Sequence, residues 1–537
     1  MKKNFSYSAG AMVLTASMLA GCGSSALQKD GAEAITEAST AETTIETDDT
    51  TNETTTESSE ADEIIQASGN PAGGYPWADT RLMENVTEGM ETSAKDDFYL
   101  YSNYDWIMAG GDLEEEETDS ELEIKEQILD IIENEDESDV YETELIRDYY
   151  NAFVDWDERN KLGTEPLRAV VEDIDSISSL KEMSEFITDE DRSRDVPMPI
   201  NIHYYLNPDG SDIYCTYLSF IGYMDLLIED SNEYTEETEN GAKIKKAATE
   251  EIVYDLEGIG YTTEEATKIA EDFLAMETKL SAGLYSLSEL LLRGPENQEF
   301  LFAEKSKVQE WMKDFPIEGL LESRGYGKAE QLLYENEEYI KLLGDVYNEE
   351  NLELFKHYLI SKYLLTSDYM CDKKAVELMI QTDNAKSGIS STYDDFDVTK
   401  YFMDQNLRDA RDKAYLVRND ASTAKEEIID LFNSLRESYI DMMQECDWIS
   451  EESRANIIEK IESMGIYALY KDNWINYDSL NFKDKPFSEI AVELAHFNQD
   501  NAKKYAEGKV DNEVEAWNIW SVLEPNAKMI REQNKFL

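Results

Sequence analysis

The chain offers few residues for metal or nucleophilic chemistry, because its histidines are His203, His357 and His496 alone. Zinc-dependent hydrolysis needs about three protein ligands, commonly two of them on one helix face, and a carboxylate that accepts a proton from the metal-bound water. No His-Glu-x-x-His pattern occurs in the sequence. A serine or cysteine triad also requires a histidine base, and no Gly-x-Ser-x-Gly elbow is present. We therefore expect no catalytic residue and no metal ligand in this chain. His203 lies in a predicted hairpin without a second histidine at ligand spacing, so we interpret it as structural.

The N-terminal sequence predicts a different chemistry, the covalent modification of a cysteine. Lys2 and Lys3 precede a short apolar run at residues 9–20, and the run ends in Leu-Ala-Gly followed by Cys22. This pattern is typical of a bacterial lipoprotein signal peptide over residues 1–21, with cleavage before Cys22 and lipidation of its sulfur. The alternative is an ordinary signal peptide with an incidental cysteine. We expect a lipid-anchored protein on the extracytoplasmic side of the cell membrane. The other three cysteines are far apart and do not predict a disulfide framework.

Charge excludes one class of partner. The chain has 48 Lys and Arg against 118 Asp and Glu, a net charge of −70. Such a surface repels phosphate backbones, so nucleic acid is not expected as a partner. Residues 22–74 are rich in Thr, Glu, Ser and Ala and poor in large apolar residues, which predicts a disordered acidic tether between the anchor and the folded part.

The folded part is predicted to be mainly α, a large multi-helical domain with a small β-hairpin. Helical spacing of apolar residues occurs at 122–132 and 145–154, and Thr262 with Glu265 forms a capping box before a third amphipathic helix. Alternating residues on both sides of the turn 207–210 predict the hairpin. A later helix is predicted to be capped by Thr423 and Glu426. Its apolar stripe is interpreted as a core face and consists of Ile428, Leu431, Phe432, Leu435, Tyr439 and Met442.

Four segments of the sequence carry a recognisable set of motifs. Residues 96–106 read DDFYLYSNYDW, residues 146–151 read IRDYYN, residues 163–167 read GTEPL, and Trp448-Ile449 is followed by Ala455. In this order they resemble the motifs of the neprilysin and endothelin-converting-enzyme family of zinc metallopeptidases, with residues 96–106 similar to its N-terminal signature. The resemblance implies a helical domain that encloses short peptide substrates over a zinc-bearing catalytic domain. In the complete family, zinc is the cofactor.

The C-terminal segment resembles the junction that precedes the catalytic domain in this family. Trp517 stands for the family tryptophan, and Asn526 and Ala527 stand for an Asn-Ala pair that binds the main chain of a peptide substrate by strand addition. The resemblance places the zinc helix beyond Leu537. We therefore expect residues 75–510 to form the N-terminal domain and residues 511–537 to begin a truncated catalytic domain.

Two explanations of the missing catalytic domain stay open. The chain is a truncated product, or it is one half of a split enzyme whose zinc-bearing half is a separate catalytic chain. Either way, we expect this chain alone to bind no stoichiometric zinc and to hydrolyse no peptide. The alternative from another class is a noncatalytic lipoprotein that binds extracellular peptides or a protein partner, with cationic ligands favoured by the acidic surface.

Overall fold

The structure, a computed structural model, describes residue 95 and residues 119–536, with gaps at 208–213, 221–225, 229, 236–237, 287–299, 388–392, 472–473, 507–520, 524–526, 528 and 531–533. Several predicted features lie outside the described residues. These are the signal peptide with Cys22, the acidic tether, the aromatic signature at 96–106, Trp517 and Asn526.

Helices dominate the described chain, which confirms the mainly α fold class. The N-terminal third contains α1 (Asp119–Glu133), α2 (Tyr141–Val154), α3 (Trp156–Leu162), α4 (Arg168–Asp175), α5 (Leu180–Ile187) and α6 (Glu190–Ser193). Both helices predicted from apolar spacing in this region, α1 and α2, are therefore confirmed. Buried Arg159 of α3 donates hydrogen bonds to the carbonyl oxygens of Phe153 (2.6 Å) and Cys371 (2.8 Å), and thereby joins this region to the centre of the chain.

Helix α1 packs against elements from much later in the sequence. Its Lys125 ammonium lies 2.6 Å from Asp397, 272 residues further on, and Arg418 pairs with Asp130 at 3.0 Å. Ile128 and Ile132 form a small apolar cluster with Phe396. The two halves of the described chain are thus packed together by ion pairs around an apolar contact.

A four-stranded sheet contains the predicted hairpin and two strands that the sequence did not indicate. Strands β1 (Ile200–Leu206) and β2 (Tyr214–Phe220) pair antiparallel, with Ile200 opposite Phe220, which confirms the hairpin. Strand β4 (Gln331–Tyr334) pairs parallel with β2, and β3 (Leu301–Glu304) pairs antiparallel with β4. Each added strand has only four residues, too few for alternation to distinguish it from a loop.

The central helices form the main hydrophobic core. They are α7 (Glu239–Gly258), α8 (Thr263–Ser281), α9 (Lys305–Met312), α10 (Ile317–Ser323), α11 (Glu337–Val346), α12 (Leu352–Ser367) and α13 (Lys373–Ser387). The capping box at Thr262 and Glu265 is confirmed, because Thr262 Oγ1 accepts from the Glu265 N–H and Glu265 Oε2 accepts from the Thr262 N–H. The predicted amphipathic helix is α8, and its apolar face, which includes Ala266, Ile269 and Phe273, is buried.

The later helices are α14 (Asp395–Asn406), α15 (Arg408–Arg418), α16 (Ser422–Glu445), α17 (Glu451–Glu462) and α18 (Phe487–Ala506). Helix α16 begins one residue before Thr423, so the predicted cap at Thr423 is wrong, and Asp420 instead accepts hydrogen bonds from the N–H and hydroxyl groups of Ser422. Helix α17 is capped by Ser450, whose Oγ accepts from the Ser453 N–H at 3.0 Å.

The predicted core face of α16 is also wrong. Phe432 is buried, but the other five residues of the stripe are exposed, with relative exposures between 37% and 60%. Among the described elements, only α17 packs extensively against α16. The pattern identified one apolar face correctly, but no described element covers it.

A three-stranded sheet lies next to this helix pair. Strands β5 (Gly465–Ile466), β6 (Met529–Ile530) and β7 (Lys535–Phe536) have the order β5-β7-β6, with β5 and β7 parallel and β6 and β7 antiparallel. In the part of the chain that the structure describes, no helix is both long enough and apolar enough to cross a membrane.

Candidate functional site

The predicted peptide-binding pair is only partly described. Ala527 is exposed and lies two residues before β6, whereas Asn526 is outside the described residues. Within the described sheet, β6 is bonded on one side only, because β7 lies between it and β5. A strand with one unpaired edge presents backbone donors and acceptors that an extended peptide can bond by strand addition.

A buried arginine network fixes the chain just before this segment. Arg411 of α15 is almost fully buried, and its guanidinium contacts Asp412 at 2.8 Å and donates to Ser521 Oγ at 2.6 Å. Asp412 also accepts from the N–H of Val522 at 3.0 Å. A buried guanidinium needs paired acceptors, so these bonds hold residues 521–522 against α15, five residues before Ala527.

The hairpin of β6 and β7 is attached to α17 by one residue. Asn534 has a positive φ of 51°, which asparagine tolerates better than most residues. Its side-chain amide donates to the carbonyl of Lys460 and to Ser463 Oγ, both at 2.9 Å. The last described strand then meets α16, where the Phe536 ring lies 6.1 Å from the Phe432 ring.

The exposed face of α16 adjoins this hairpin. Its large apolar residues are spaced three or four apart along one side of the helix, over a length of about 20 Å. Trp448, in the turn between α16 and α17, is 81% exposed. We call this surface the α16 stripe, and it consists of Ile428, Leu431, Leu435, Tyr439, Met442 and Trp448. Clustered exposed apolar residues of this kind mark interaction surfaces.

The three histidines have different surroundings. His203 of β1 packs edge-on against Tyr217 at 4.9 Å, and burial lowers its pKa to about 4, which is consistent with the predicted structural role. His496 of α18 pairs through Nε2 with Asp195 at 2.9 Å. His357 of α12 pairs through Nδ1 with Asp272 at 2.7 Å. They lie on three separate elements with different partners, so they do not form the two-histidine helix face of a hydrolytic zinc site.

One group of potential metal donors is present among the described residues. Asp175, Glu353 and His357 bring one donor atom each to within 4.8 Å of the others. No local sequence pattern indicates this group. Glu353 and His357 have the i, i+4 spacing of one helix face, but Asp175 comes from a distant helix, α4, and only the fold brings it near.

Buried carboxyl groups lie at another place, between α7, α13 and the turn after α12. Glu251 and Asp255 share one face of α7, and Asp368 lies in a short 3-10 helix after α12. Burial raises the pKa of Glu251 to about 7. Burial, and then the charge of Glu251, raise the pKa values of Asp255 and Asp368 well above their usual range. The carboxyl oxygens of Asp255 have no hydrogen-bond partner among the described residues, whereas the carboxyl groups of Asp368 and Glu251 contact each other. Burial therefore favours the protonated form of these three carboxyl groups.

The comparisons with known proteins agree on one family. The N-terminal model of peptidase family M13 matches residues 94–471. A Streptococcus gordonii protein named as a zinc metalloproteinase in the scaA 5′ region is 21% identical over 400 residues, which are 71% of this chain and 68% of that protein.

Solved structures with the same fold include two bacterial proteins. The zinc metalloprotease Zmp1 of Mycobacterium tuberculosis in its open state superimposes with a TM-score of 0.67 at 18% identity, over 83% of this chain and 69% of that one. PepO from Lactobacillus rhamnosis HN001 gives a TM-score of 0.68 at 14% identity, over 83% and 70% of the two chains.

Proposed function

The chain belongs to peptidase family M13, and on that premise we propose that its helical domain encloses short peptides for a zinc-bearing catalytic domain of the same family. The α16 stripe carries this proposal. It is an apolar face that none of the described elements covers, and the strands β6 and β7 lie beside it. We assign the stripe to the contact with the catalytic domain, because burial of such residues favours stable association.

The second part of the proposal concerns the peptide. The family resemblance assigns main-chain binding to Asn526 and Ala527. Two observations support this assignment: Ala527 is exposed, and no described strand pairs with the edge of β6 that faces away from β7. Asn526 and Ala527 would align an extended peptide by backbone hydrogen bonds. These contacts position a substrate but supply neither a nucleophile nor a general base.

Catalysis is assigned to the partner domain. The family implies zinc, and the residues of this chain do not fit that site. The sequence has no His-Glu-x-x-His, and the described histidines lie on separate elements with different partners. The zinc-bearing domain either continues this polypeptide or is a separate chain. We expect the present chain alone to leave peptides intact.

We also propose that the protein is a surface lipoprotein anchored through Cys22, with residues 22–74 as an acidic tether. This proposal depends on the signal-peptide pattern and the composition alone. The competing function is that of a noncatalytic lipoprotein that binds extracellular peptides or a protein partner. The net charge of −70 favours cationic ligands in that case.

The test begins at the gene. The DNA after codon 537 and the neighbouring genes are read for a His-Glu-x-x-His sequence, and the polypeptide that carries it is produced with this chain. We expect chelator-sensitive hydrolysis of short peptides from the combination and none from this chain alone. Leu431→Asp with Leu435→Asp should lower hydrolysis at least about tenfold, because both leucines lie in the α16 stripe.

The control is Leu162→Asp, which changes an exposed leucine outside the α16 stripe, on α3. It should leave hydrolysis unchanged. Full activity of the double variant would remove the α16 stripe from the interface. Chelator-sensitive hydrolysis by this chain alone, free of contaminating proteases, would contradict the assignment of catalysis to a partner domain.

A further inference from the structure

We infer that Asp175, Glu353 and His357 form a binding site for a divalent transition-metal ion of the zinc type, between α4 and α12. Glu353 and His357 lie four residues apart on one face of α12, and Asp175 is the last residue of α4. One donor atom from each lies within 4.8 Å of the others. Ligands about 2.1 Å from a tetrahedral zinc ion are about 3.4 Å apart. His357 Nε2 and Glu353 Oε1 are 3.4 Å apart.

The orientation of His357 presents a ring nitrogen to this site. Its Nδ1 lies 2.7 Å from Oδ2 of buried Asp272, so in its neutral form the ring donates from Nδ1 and carries a lone pair on Nε2. Nε2 faces a carboxylate oxygen of Glu353. Either a proton on Nε2 or a metal ion between the two atoms makes this approach favourable, and a metal ion binds both as ligands.

The surrounding residues hold the donors as they do in metal sites. A carboxylate that binds the second nitrogen of a ligating histidine is the usual arrangement around protein-bound zinc. Here Asp272 has this position, and Lys268 pairs with Asp272 in turn. Asp175 accepts from the Tyr261 hydroxyl through Oδ2 at 3.2 Å, which leaves Oδ1 for the site.

The site is open on one side. His357 and Asp272 are buried, whereas the side chains of Glu353 and Asp175 are 63% and 41% exposed. The buried His357–Asp272 pair fixes the orientation of the imidazole. The exposed carboxylates allow an ion to enter the site from solvent and to keep water as a further ligand.

Lys356 competes with a metal ion for the carboxylate oxygens of Asp175 and Glu353. Its buried ammonium lies 3.5 Å from Asp175 Oδ1 and 3.3 Å from Glu353 Oε1. Both distances exceed those of short charge-assisted hydrogen bonds, which are about 2.8 Å. A divalent ion that binds one nitrogen and two carboxylates makes shorter contacts with the same oxygens, and the ammonium must then move toward solvent.

The bound ion would link α4 to α12 and stabilise their packing. The donor set differs from a hydrolytic zinc helix, which has two histidines and a free general base. It therefore extends the proposed function without replacing it, and it contradicts the expectation, made from the sequence, that the chain binds no stoichiometric zinc.

The experiment measures metal binding directly. The full chain, prepared without a polyhistidine tag, is stripped with chelator and titrated with Zn²⁺ by calorimetry and by competition with a chromophoric chelator. We expect one equivalent of Zn²⁺ per chain. Asp272→Asn leaves all three donors in place and should weaken binding about 10- to 100-fold. His357→Gln should weaken it further, and Lys356→Met should strengthen it.

The control is His496→Gln, which removes a histidine that is also paired with an aspartate but lies outside the site. It should leave the affinity unchanged, and circular dichroism should show that every variant is folded. Three results would each overturn the proposal: no stoichiometric binding by the wild-type chain, unchanged affinity in His357→Gln, or binding that appears only in Lys356→Met. In each case the group is an ion-pair network centred on Lys356.

Discussion

Glu251, Asp255 and Asp368 show how burial controls the chemistry of single residues in this domain. Their pKa values are raised, so the folded state keeps protons on these groups at pH values where the unfolded chain has released them. For an acid whose pKa is raised on folding, the unfolded state binds fewer protons. The free energy of unfolding therefore falls as the pH rises from the unfolded pKa toward the folded pKa.

Glu251→Gln tests this effect. The folded pKa of Glu251 is about 7, so its contribution declines between about pH 4.5 and pH 7. We expect the variant to lose less stability than the wild type across this range, as measured by urea unfolding at pH 5 and pH 7. Glu250→Gln, a change at the exposed neighbour, should retain the wild-type dependence on pH. Equal slopes for Glu251→Gln and the wild type would refute the assignment.

Only part of this residue-level chemistry was predictable. The structural role of His203 follows from its place in the hairpin, and Glu353 with His357 has a readable helical spacing. Asp175 lies 178 residues before Glu353 in the sequence, by subtraction of their numbers, and no local pattern connects them. Ion pairs and donor groups between distant segments depend on tertiary packing, which spacing rules do not describe.

At the scale of elements, the two predicted helix caps, at Thr262 and Thr423, show how far a capping motif in the sequence can be trusted. Thr262 forms the predicted box because its helix begins directly after it. Thr423 has the same spacing to an acidic residue, yet α16 begins earlier and Thr423 lies within its first turn. The start of a helix can differ by one or two residues from its predicted position. The same capping motif can therefore cap one helix and lie inside the first turn of another.

A pair of variants measures this difference. Thr262→Ala should lower the free energy of unfolding by about 1 kcal/mol, because the Thr262 hydroxyl accepts from the Glu265 N–H and donates to the Glu265 carboxylate, and both bonds are lost. Thr423→Ala should be neutral or slightly stabilising, since alanine has the higher helix propensity. Chemical denaturation of both variants gives the comparison. A larger loss in Thr423→Ala would contradict the observed start of α16.

The α16 stripe shows a second limit of pattern reasoning. Periodicity shows that a helix has an apolar face, but not whether that face packs on the same domain or on another one. Phe432, on the same helix, is buried and packs near Phe536, whereas the residues of the α16 stripe are exposed. The short strands β3 and β4 were not predicted either, because pairing partners rather than local sequence determine whether such short segments become strands.

At the scale of the whole molecule, the anchor and the helical body are separate units in the proposed function. Cys22→Ala should release the protein from membranes or block its processing, because a diacylglycerol anchor supplies the two acyl chains that stable attachment needs. Membrane fractionation and mass spectrometry of the mature N-terminus measure this result. Cys446→Ala is the matched control and should leave fractionation unchanged. A mature-length Cys22→Ala protein that still sediments with membranes would contradict the lipid anchor.

The packing of α1 on α14 and α15 has a consequence for biosynthesis. Lys125 can pair with Asp397 only after a further 272 residues have been synthesised. Phe396, next to Asp397, can cover Ile128 and Ile132 only at that point as well. Contacts of such sequence separation form slowly, and a nascent chain appears N-terminus first. Ile128 and Ile132 therefore stay uncovered by Phe396 while the chain between them is made. The packing of α1 is expected to be completed late in synthesis, after residues 395–418 have emerged.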